Sequence, residues 1–555
     1  GSMVEHNDSG TNKIFASHGT SIYTVDFTSP NAAFPSSGAD VKHTVANSTG
    51  DWQFVNFNNR LHCFHAGVSP QRYDGASDSG ERWSAHYNAT AINDTGHISS
   101  SVTTITVDST VGFPPNGKII IENEIISYTG ITATTFTGCT RGADSTSSAT
   151  HNDNVAVTTY TIPLTVTTFD PSCGMGYYGR LWCGGVTESK DVVYWSNLLD
   201  GDDWNGGDAG VLDLSKIWGT DEVVAIAPFY GQLIIFGKNN IVIYDNPTTV
   251  GSLALNEVIS GVGCVSRDSV QAIGDDLVFL SATGLRSLLR TAEKDKLPLT
   301  DLTVNIKDTI IRNIGNSNNV KSVYVESEGI YIMSFVDKNI NYVFDFKHTT
   351  PQGTPRITTW TFDNDREPAS MINTELYSGL LVGQKDGSIS GYEGYYDIDL
   401  AWVSSAASYT NAAITADVSS IWITMSEGMS ASLLKKMVLV LEGGSGAVLG
   451  LKWYKDYSIN PSTTTQLSLN PVTTGTTALW GASSSLYGAT SVTHTHDAAV
   501  HPSSSTYTPV FGLQEYRTAL TGSAKQLKLN LSIVSAGYDT SIQDLSIISL
   551  QGKIR

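Results

Sequence analysis

The chain has 555 residues, 40% of them hydrophobic and 15% charged, which suits about two to four folded domains and argues against wholesale disorder. Its 53 Asp and Glu against 33 Lys and Arg give a formal charge of −20 at pH 7. A surface this acidic repels phosphate backbones and therefore argues against sequence reading of DNA or clamping of RNA.

The start of the chain, Gly1-Ser2-Met3, has neither the charged nor the apolar region of a signal peptide, and Gly1-Ser2 is typical of the remnant of a cleaved tag. No apolar run approaches the roughly 18 residues that a transmembrane helix needs, so we predict no membrane span. The five cysteines include no Cys-x-x-Cys pair, which excludes a zinc knuckle and predicts free buried thiols. A disulfide between Cys173 and Cys183 across a hairpin is the alternative.

Short strands separated by turn residues dominate the sequence, which predicts an all-β fold. One unit recurs at roughly 50-residue intervals: a turn residue, an apolar strand, a short polar gap and a second strand. Paired strands at this period are typical of propeller blades, so we predict a six- or seven-bladed β-propeller, with a pair of β-sandwiches as the alternative. The seven copies of the unit begin at Asn12, Asn59, Gly179, Gly231, Asp276, Gly329 and Gly379.

The remaining segments differ from this repeat. One longer interval holds an insertion whose short strands predict a small independent β domain. In the last part of the chain, apolar and polar residues alternate as they do in a sheet with one buried face, which predicts a C-terminal β-sandwich. One helix is predicted over residues 302–314, where isoleucine recurs every four residues. We therefore expect the start of the chain at 1–12, the propeller over 13–99 and 159–400, the inserted domain over 100–158, the sandwich over 401–555, and within it a Ser/Thr-rich surface excursion over 463–505.

Two clusters are weak candidates for metal ligands. His494, His496 and His501 form the densest histidine cluster, and alternating histidines on a strand can bind zinc, but no Cys completes the set. Asp200, Asp202 and Asp203 offer oxygen ligands as calcium loops do, but the spacing of an EF-hand is absent and the same residues suit a tight turn. We predict no metal site and no cofactor.

Motifs for catalysis are also missing. The run from Asp78 to Trp83 partly matches the Asp-box of sialidase-type propellers and occurs once, whereas such boxes recur in those proteins and are structural turns. The sequence contains no G-x-S-x-G, Walker, H-E-x-x-H or dinucleotide-binding motif. We predict that the protein is not an enzyme. The 24 Tyr and 11 Trp could line a carbohydrate groove, although such residues more often pack between sheets.

Several blocks of sequence resemble one family. They include Gly179-Arg-Leu-Trp, Gly231-Gln-Leu-Ile-Ile-Phe, and Gly261-Val-Gly-Cys-Val-Ser-Arg-Asp-Ser-Val270 running into Asp276-Leu-Val-Phe-Leu-Ser. These blocks, within residues 13–400, resemble the nozzle proteins, also called tail tubular protein B, and the related hub or stabilisation proteins of short-tailed bacteriophages and prophages. The insertion, with Phe136-Thr-Gly-Cys-Thr-Arg-Gly142, resembles a small module that recurs in phage tail and virion proteins.

The resemblance implies a mechanical function in the virion, after synthesis in the host cytoplasm. It implies a homo-hexameric ring around the genome exit path, or a monomer in isolation, with a tail adaptor protein and tail fibres or spikes as partners. Double-stranded DNA would pass without sequence recognition, and an acidic channel wall would repel its backbone. The alternative is a propeller-type receptor-binding phage protein that binds or hydrolyses glycans, and a cell-surface adhesin is a third possibility.

Overall fold

The structure, a computed structural model, describes residues 1–8, 10–25, 41–77, 80–85, 88–160, 163, 165–289, 301–314, 319–350, 353–362, 366–376, 379–392, 398–403, 408–425, 431–443, 448–468, 513–535 and 540–551. It is all-β, as predicted, with 58% of residues in strands and 7% in helices. The chain divides into an N-terminal unit, Gly1–Tyr392, and a C-terminal unit, Glu393–Arg555.

The N-terminal unit begins with two antiparallel sheets whose strands follow one another in chain order. Sheet 1 holds β1 (Met3–Asp8), β2 (Thr11–His18), β3 (Ser21–Val25) and β4 (Val41–Thr44). Sheet 2 holds β5 (Gln53–Phe57), β6 (Arg60–His65), β7 (Val68–Ser77) and β8 (Gly80–Ala85).

An inserted module follows, with a core of its own that includes Ile119, Phe136 and Val157. Its first strand pairs with its last, which places residues 89–91 in the same sheet as residues 156–159. Its strands are β9 (Ala89–Ala91), β10 (His97–Ile98), β11 (Thr104–Thr106), β12 (Gly117–Ile121), β13 (Glu124–Tyr128), β14 (Gly130–Ile131), β15 (Thr135–Thr137), β16 (His151–Asn152) and β17 (Ala156–Thr159), with a 3-10 turn at Ala143–Ser145.

Five further sheets complete the N-terminal unit, again with their strands in chain order. Sheet 3 holds β18 (Cys173–Tyr177), β19 (Arg180–Val186), β20 (Ser189–Trp195) and β21 (Gly210–Asp213), and a short helix α1 (Ser215–Trp218) follows it. Sheet 4 holds β22 (Val223–Phe229), β23 (Gln232–Gly237), β24 (Asn240–Asp245) and β25 (Ala254–Ser260). Sheet 5 holds β26 (Gln271–Ile273), β27 (Asp276–Ser281) and β28 (Gly284–Ser287), and is followed by α2 (Lys307–Ile314).

Sheet 6 holds β29 (Val320–Val325), β30 (Ile330–Phe335), β31 (Ile340–Thr349) and β32 (Pro355–Trp360), and sheet 7 holds β33 (Pro368–Thr374), β34 (Gly379–Gln384) and β35 (Ile389–Tyr392). Further 3-10 turns lie at Val250–Ser252, Arg267–Ser269, Val304–Ile306 and Val336–Lys338. The helix predicted over residues 302–314 is confirmed in its second half, where Ile310 is buried.

Each sheet packs on the next through a shared apolar core. Phe15 of sheet 1 meets Leu61 of sheet 2, and corresponding cores join every later pair up to sheets 6 and 7. A last core brings Met3 and Ile14 of sheet 1 against Leu381 of sheet 7, so the seventh sheet contacts the first. Central strands such as β23 are apolar throughout because both faces of the sheet are covered.

All five cysteines are buried and free, so the predicted thiols are confirmed and Cys173 and Cys183 form no disulfide. The two lie on neighbouring strands of sheet 3, where Cys173 is paired with Gly184 and Cys183 with Gly174. Burial raises the pKa of Cys264 to about 11, as expected for packing groups in a core.

The C-terminal unit contains two sheets around one apolar core that includes Leu439, Leu451 and Leu529. Its strands are β36 (Ile398–Val403), β37 (Ser408–Ser419), β38 (Ile423–Thr424), β39 (Ser432–Gly443), β40 (Val448–Lys455), β41 (Thr463–Ser468), β42 (Leu513–Ala519), β43 (Ser523–Ala524), β44 (Gln526–Ser535) and β45 (Thr540–Gln551). Strand β41 occupies the start of the predicted surface excursion, and the rest of that excursion, residues 469–505, lies outside the described residues.

Candidate functional site

Four charged side chains meet at the starts of several sheets in the N-terminal unit. Asp51 precedes β5, Arg267 and Asp268 precede β26, and Lys321 lies on β29. The Arg267 guanidinium donates Nη2 to Asp51 Oδ1 at 3.0 Å and Nε to Asp268 Oδ1 at 3.1 Å. The Lys321 ammonium donates to Asp268 Oδ2 at 2.6 Å and also contacts Asp51. We call these four residues the central ionic cluster.

Arg267 also ties the cluster to sheet 3, because its Nη1 donates to the Ser172 carbonyl at 2.5 Å. Ser322 Oγ donates to the Asp268 carbonyl at 2.5 Å, which fixes the 3-10 turn against β29. The cluster therefore joins segments that belong to sheets 2, 3, 5 and 6.

The electrostatics of the cluster favour fixed charges over proton exchange. Burial alone would raise the pKa of Asp51 and Asp268, but Arg267 and Lys321 outweigh it and hold both carboxyl pKa values below their usual range. The pKa of Lys321 is raised by Asp268 and Asp51 against the opposing effect of burial. Two cations thus balance two anions, whereas a general acid needs a carboxyl pKa raised toward neutrality.

A cavity of about 170 Å³ adjoins the cluster and is lined by residues that include Met3, Trp52, Gln53, Lys321 and Ser370. The pockets that hold drug-sized ligands measure roughly 300–1,000 Å³, so this cavity suits a few water molecules. The buried indole N–H of Trp52 has no hydrogen-bond partner among the described residues, and water is the natural acceptor for this donor.

A second buried ionic cluster lies in the inserted module. Glu124, 1% exposed, accepts Nε and Nη2 of Arg141 at 2.8 and 2.7 Å and the backbone N–H groups of Gly142 and Ala149. His151 Nε2 lies 2.8 Å from the same carboxylate. Burial opposes ionisation, but these donors outweigh it and lower the pKa of Glu124 to about 2. The cluster pins the segment after β15 to β13.

The three aspartates that were weak candidates for calcium ligands lie in one turn, and oxygens of Asp202 and Asp203 have other partners. Asp202 Oδ2 is 2.6 Å from Arg60 Nη1 and also contacts Arg72. Asp203 Oδ1 accepts the backbone N–H groups of Asn205 and Gly206, as a turn residue does.

Asp200 is the third of these aspartates, and its pKa is raised by burial and by Asp203. Within the described part of the chain, no group of three or more His, Cys, Asp or Glu could hold a metal ion. His494, His496 and His501 lie outside the described residues, as does Asp78 of the single Asp-box match.

An exposed apolar surface that the sequence reasoning missed lies on two neighbouring sheets. Tyr178 and Tyr230 occupy the two-residue loops of the hairpins β18–β19 and β22–β23, and are 43% and 66% exposed. Leu198 and Leu199, 48% and 62% exposed, lie beside Gly179, and the Tyr178 hydroxyl lies beside Gly231. We call Tyr178, Leu198, Leu199 and Tyr230 the turn patch.

The backbone of the turn patch is strained. Tyr178 has φ 47° and Tyr230 φ 45°, each followed by a glycine with positive φ, as in type I′ turns. Asn and Gly favour the first position of such a turn, whereas a bulky side chain there costs about 1–2 kcal/mol. The sequence does contain a sign of this surface. A Tyr-Gly pair occupies the same hairpin turn in two aligned repeats, whereas Asn-Gly is the pair that such turns usually contain.

Comparisons with known proteins add little. No family model matches the chain, and no curated protein matches it. Among solved structures, Kluyveromyces lactis Hsv2 is 10% identical with a TM-score of 0.29, and the match covers 65% of this chain and 97% of that one. The AfRom2 CNH domain is 11% identical with a TM-score of 0.24, over 53% of this chain and 82% of that one. At these TM-scores neither likeness bears on function.

In the described residues, no helix is long and apolar enough to cross a membrane.

Proposed function

We propose that the seven sheets of the N-terminal unit form a seven-bladed β-propeller and that the protein is a structural component of a short bacteriophage tail. In this proposal it is the nozzle or hub of the DNA-ejection channel and acts by assembling into a homo-hexameric ring around the genome exit path. The packing of sheet 7 on sheet 1 supports the propeller, because blades in a ring must all bury both faces. The sequence blocks that resemble nozzle proteins coincide with strands of sheets 3, 4 and 5.

The turn patch is the observation that carries the assembly function. Four large side chains, each between 43% and 66% exposed, lie near one another, and three of them have left-handed backbone. Retained strain and exposed apolar surface are features of interaction sites. The patch therefore supports a protein that works by contact with its neighbours, which in the tail are further copies, the adaptor protein, and fibres or spikes.

The central ionic cluster weighs against the alternative of a glycan-hydrolysing propeller. A glycosidase needs two carboxyl groups roughly 5–9 Å apart across a cleft, one of them with a raised pKa. Asp51 and Asp268 are instead paired with Arg267 and Lys321, and their pKa values are lowered. In the proposed virion location, double-stranded DNA passes the acidic protein without sequence recognition.

The test is the mass of the protein in solution, measured by light scattering over a range of concentrations with negative-stain imaging. We expect ring-shaped particles of about six times 59.5 kDa at high concentration. The double variant Tyr178→Asn/Tyr230→Asn removes the aromatic surface but suits the type I′ turns, so it should fold at least as stably and assemble more weakly.

The matched control is Val111→Thr, which changes an 82% exposed apolar side chain in the inserted module. It should assemble as the unaltered protein does. Monomers at every concentration, or equal assembly of the double variant and the control, would contradict the proposal.

A further inference from the structure

Two loops at one end of the C-terminal unit present apolar side chains to solvent. Ile421, 85% exposed, lies between β37 and β38, and Ile459, 90% exposed, lies between β40 and β41. These are the two most exposed large apolar side chains in the described ranges. The rings of Trp422 and Tyr457, 4.8 Å apart, join the two loops. We call Ile421, Trp422, Tyr457 and Ile459 the apolar tip.

Hydrogen bonds hold both loops in this arrangement. Ser420 donates its N–H to the Leu529 carbonyl at 2.8 Å, and its Oγ accepts the Leu529 N–H at 2.9 Å. In the other loop, Asp456 Oδ1 accepts the N–H groups of Lys525 and Gln526 at 2.8 and 3.0 Å. The loops are thus anchored to β44 and to the residue before it. These hydrogen bonds hold the side chains of the tip in their exposed positions.

Charge near the tip has the opposite sign to that of the whole chain. In residues 419–425, 452–462 and 521–530, the charged side chains are Lys452, Lys455, Lys525, Lys528 and Asp456. Asp456 is already engaged by backbone donors. A chain of net charge −20 therefore carries a local excess of lysine around its most exposed isoleucines.

We propose that the apolar tip and its lysines form a docking site for the surface of an anionic lipid bilayer. Isoleucine side chains would enter the boundary between headgroups and acyl chains, and Trp and Tyr favour that interface because they are apolar at one end and polar at the other. The lysines would lie at the level of the lipid phosphates and attract them.

The occupant follows from charge complementarity. Exposed apolar side chains with an excess of lysines in the neighbouring segments match a negatively charged interface. The docking site lies in the C-terminal unit and uses none of the turn patch, so it holds whether or not the ring assembles.

Co-sedimentation of the full chain with large unilamellar vesicles tests the proposal. Vesicles of phosphatidylcholine and phosphatidylglycerol in equal parts should bind the protein, vesicles of phosphatidylcholine alone should bind it at least several-fold less, and added salt should weaken the binding. Ile421→Ser/Ile459→Ser should lower the partition coefficient on anionic vesicles by about tenfold or more. Lys455→Gln/Lys525→Gln should lower it and flatten its dependence on salt.

Val111→Ser is the matched control, because it removes an apolar side chain of similar exposure from another part of the chain. Circular dichroism and thermal melting show whether each variant folds. Equal binding of the control and the isoleucine variant overturns the proposal, as does equal binding to neutral and anionic vesicles. The proposal also fails if the unaltered protein does not bind vesicles but binds a purified tail protein, and the isoleucine variant does not bind that tail protein. The site would then be a protein interface. Weaker vesicle binding with unchanged particle mass supports it independently of ring assembly.

Discussion

Lys321 balances the charge of two carboxylates from different parts of the chain. It is 7% exposed by its side chain and pairs with Asp268 and with Asp51, which is 270 residues away in sequence. Removing one member of such a cluster destabilises a protein more than replacing the whole cluster by apolar residues does. The remaining charges stay buried, but they have lost the partner that offset the cost of burial. Each residue of the cluster therefore contributes to holding together the segments that the cluster joins.

Lys321→Met should lower the free energy of unfolding by about 2 kcal/mol, below the ~3–5 kcal/mol of a fully buried pair because water screens the half-exposed Asp51. Urea denaturation measures the difference. The control is Lys190→Met, which breaks a 3.4 Å ion pair whose lysine is 58% exposed and should change stability by less than about 0.5 kcal/mol. Equal effects of the two substitutions would mean that the central cluster contributes no more than a surface pair.

From the Glu124 cluster we predict that the inserted module is less stable in acid. The pKa of the Glu124 carboxyl is about 2 in the folded protein, whereas its ordinary value is 4.5. A carboxyl whose folded pKa is lowered contributes stability that is fully present above its unfolded pKa and is lost as pH falls through the folded pKa. The stabilisation by Glu124 should therefore be complete above about pH 4.5 and fade toward pH 2.

Glu124→Gln tests this, since it leaves Arg141 without its carboxylate. The variant should be about 3 kcal/mol less stable at pH 7, and the difference should shrink as the pH approaches 2. Thermal unfolding followed at a series of pH values measures both. The exposed Glu326→Gln serves as control and should show no such pH-dependent difference. A constant difference at all pH values would contradict the role of the ionised carboxylate.

At the scale of elements, one loop approaches a turn of its own sheet too closely to admit a side chain. Gly263, within a block that resembles nozzle proteins, has the backbone of Lys238 and Asn239 directly where a Cβ would lie. Backbone atoms cannot swing aside as the end of a side chain can. The glycine in the block is thus explained by the close approach of the loop after β25 to the turn between β23 and β24.

Gly263→Ala should lower the free energy of unfolding by about 3 kcal/mol, because the added methyl group overlaps fixed backbone. Gly251→Ala is its control: nothing lies within 4 Å of the added carbon there, so the change should stay within about 0.5 kcal/mol. Chemical denaturation of the two variants under identical conditions gives the comparison. A tolerated Gly263→Ala would show that the two loops can separate without loss of stability.

The local pattern of apolar runs and turn residues predicted the strands, but it did not predict how the strands pair and pack. The apolar run Leu233-Ile-Ile-Phe236 between turn residues gives β23 directly, because a strand covered on both faces must be apolar at successive positions. Strand β9 has only three residues and is defined by its pairing with β17, a contact that the local sequence does not indicate. The helix was predicted too long because residues 304–306 form a 3-10 turn before α2.

The candidate sites depend on contacts that no local pattern contains. Asp51 and Lys321 are 270 residues apart in sequence, so no local pattern predicts that they form an ion pair. Asp200, Asp202 and Asp203 were correctly grouped in one turn, but Arg60, which engages Asp202 there, comes from sheet 2 and is far away in sequence. The turn patch depends on exposure, which the aligned repeats could have suggested but could not establish.

At the scale of the whole molecule, the negative charge is unevenly distributed along the chain. Residues 1–392 contain 42 Asp and Glu against 24 Lys and Arg, whereas residues 393–555 contain 11 against 9. The N-terminal unit thus carries nearly all of the net charge. Copies of it repel one another at low salt, so any ring they form must be held by contacts other than the attraction of net charges.

This repulsion gives the proposed ring a salt dependence of definite sign. If the turn patch joins the copies, screening should strengthen assembly, and the dissociation constant should fall about tenfold between ~0.05 and ~0.5 M NaCl as the Debye length shortens. Sedimentation velocity at several salt concentrations measures this, with Tyr178→Asn/Tyr230→Asn as a variant that should assemble weakly throughout. Assembly that weakens with salt would instead mean that ion pairs between copies hold the ring, and the turn patch would then have to face a different partner.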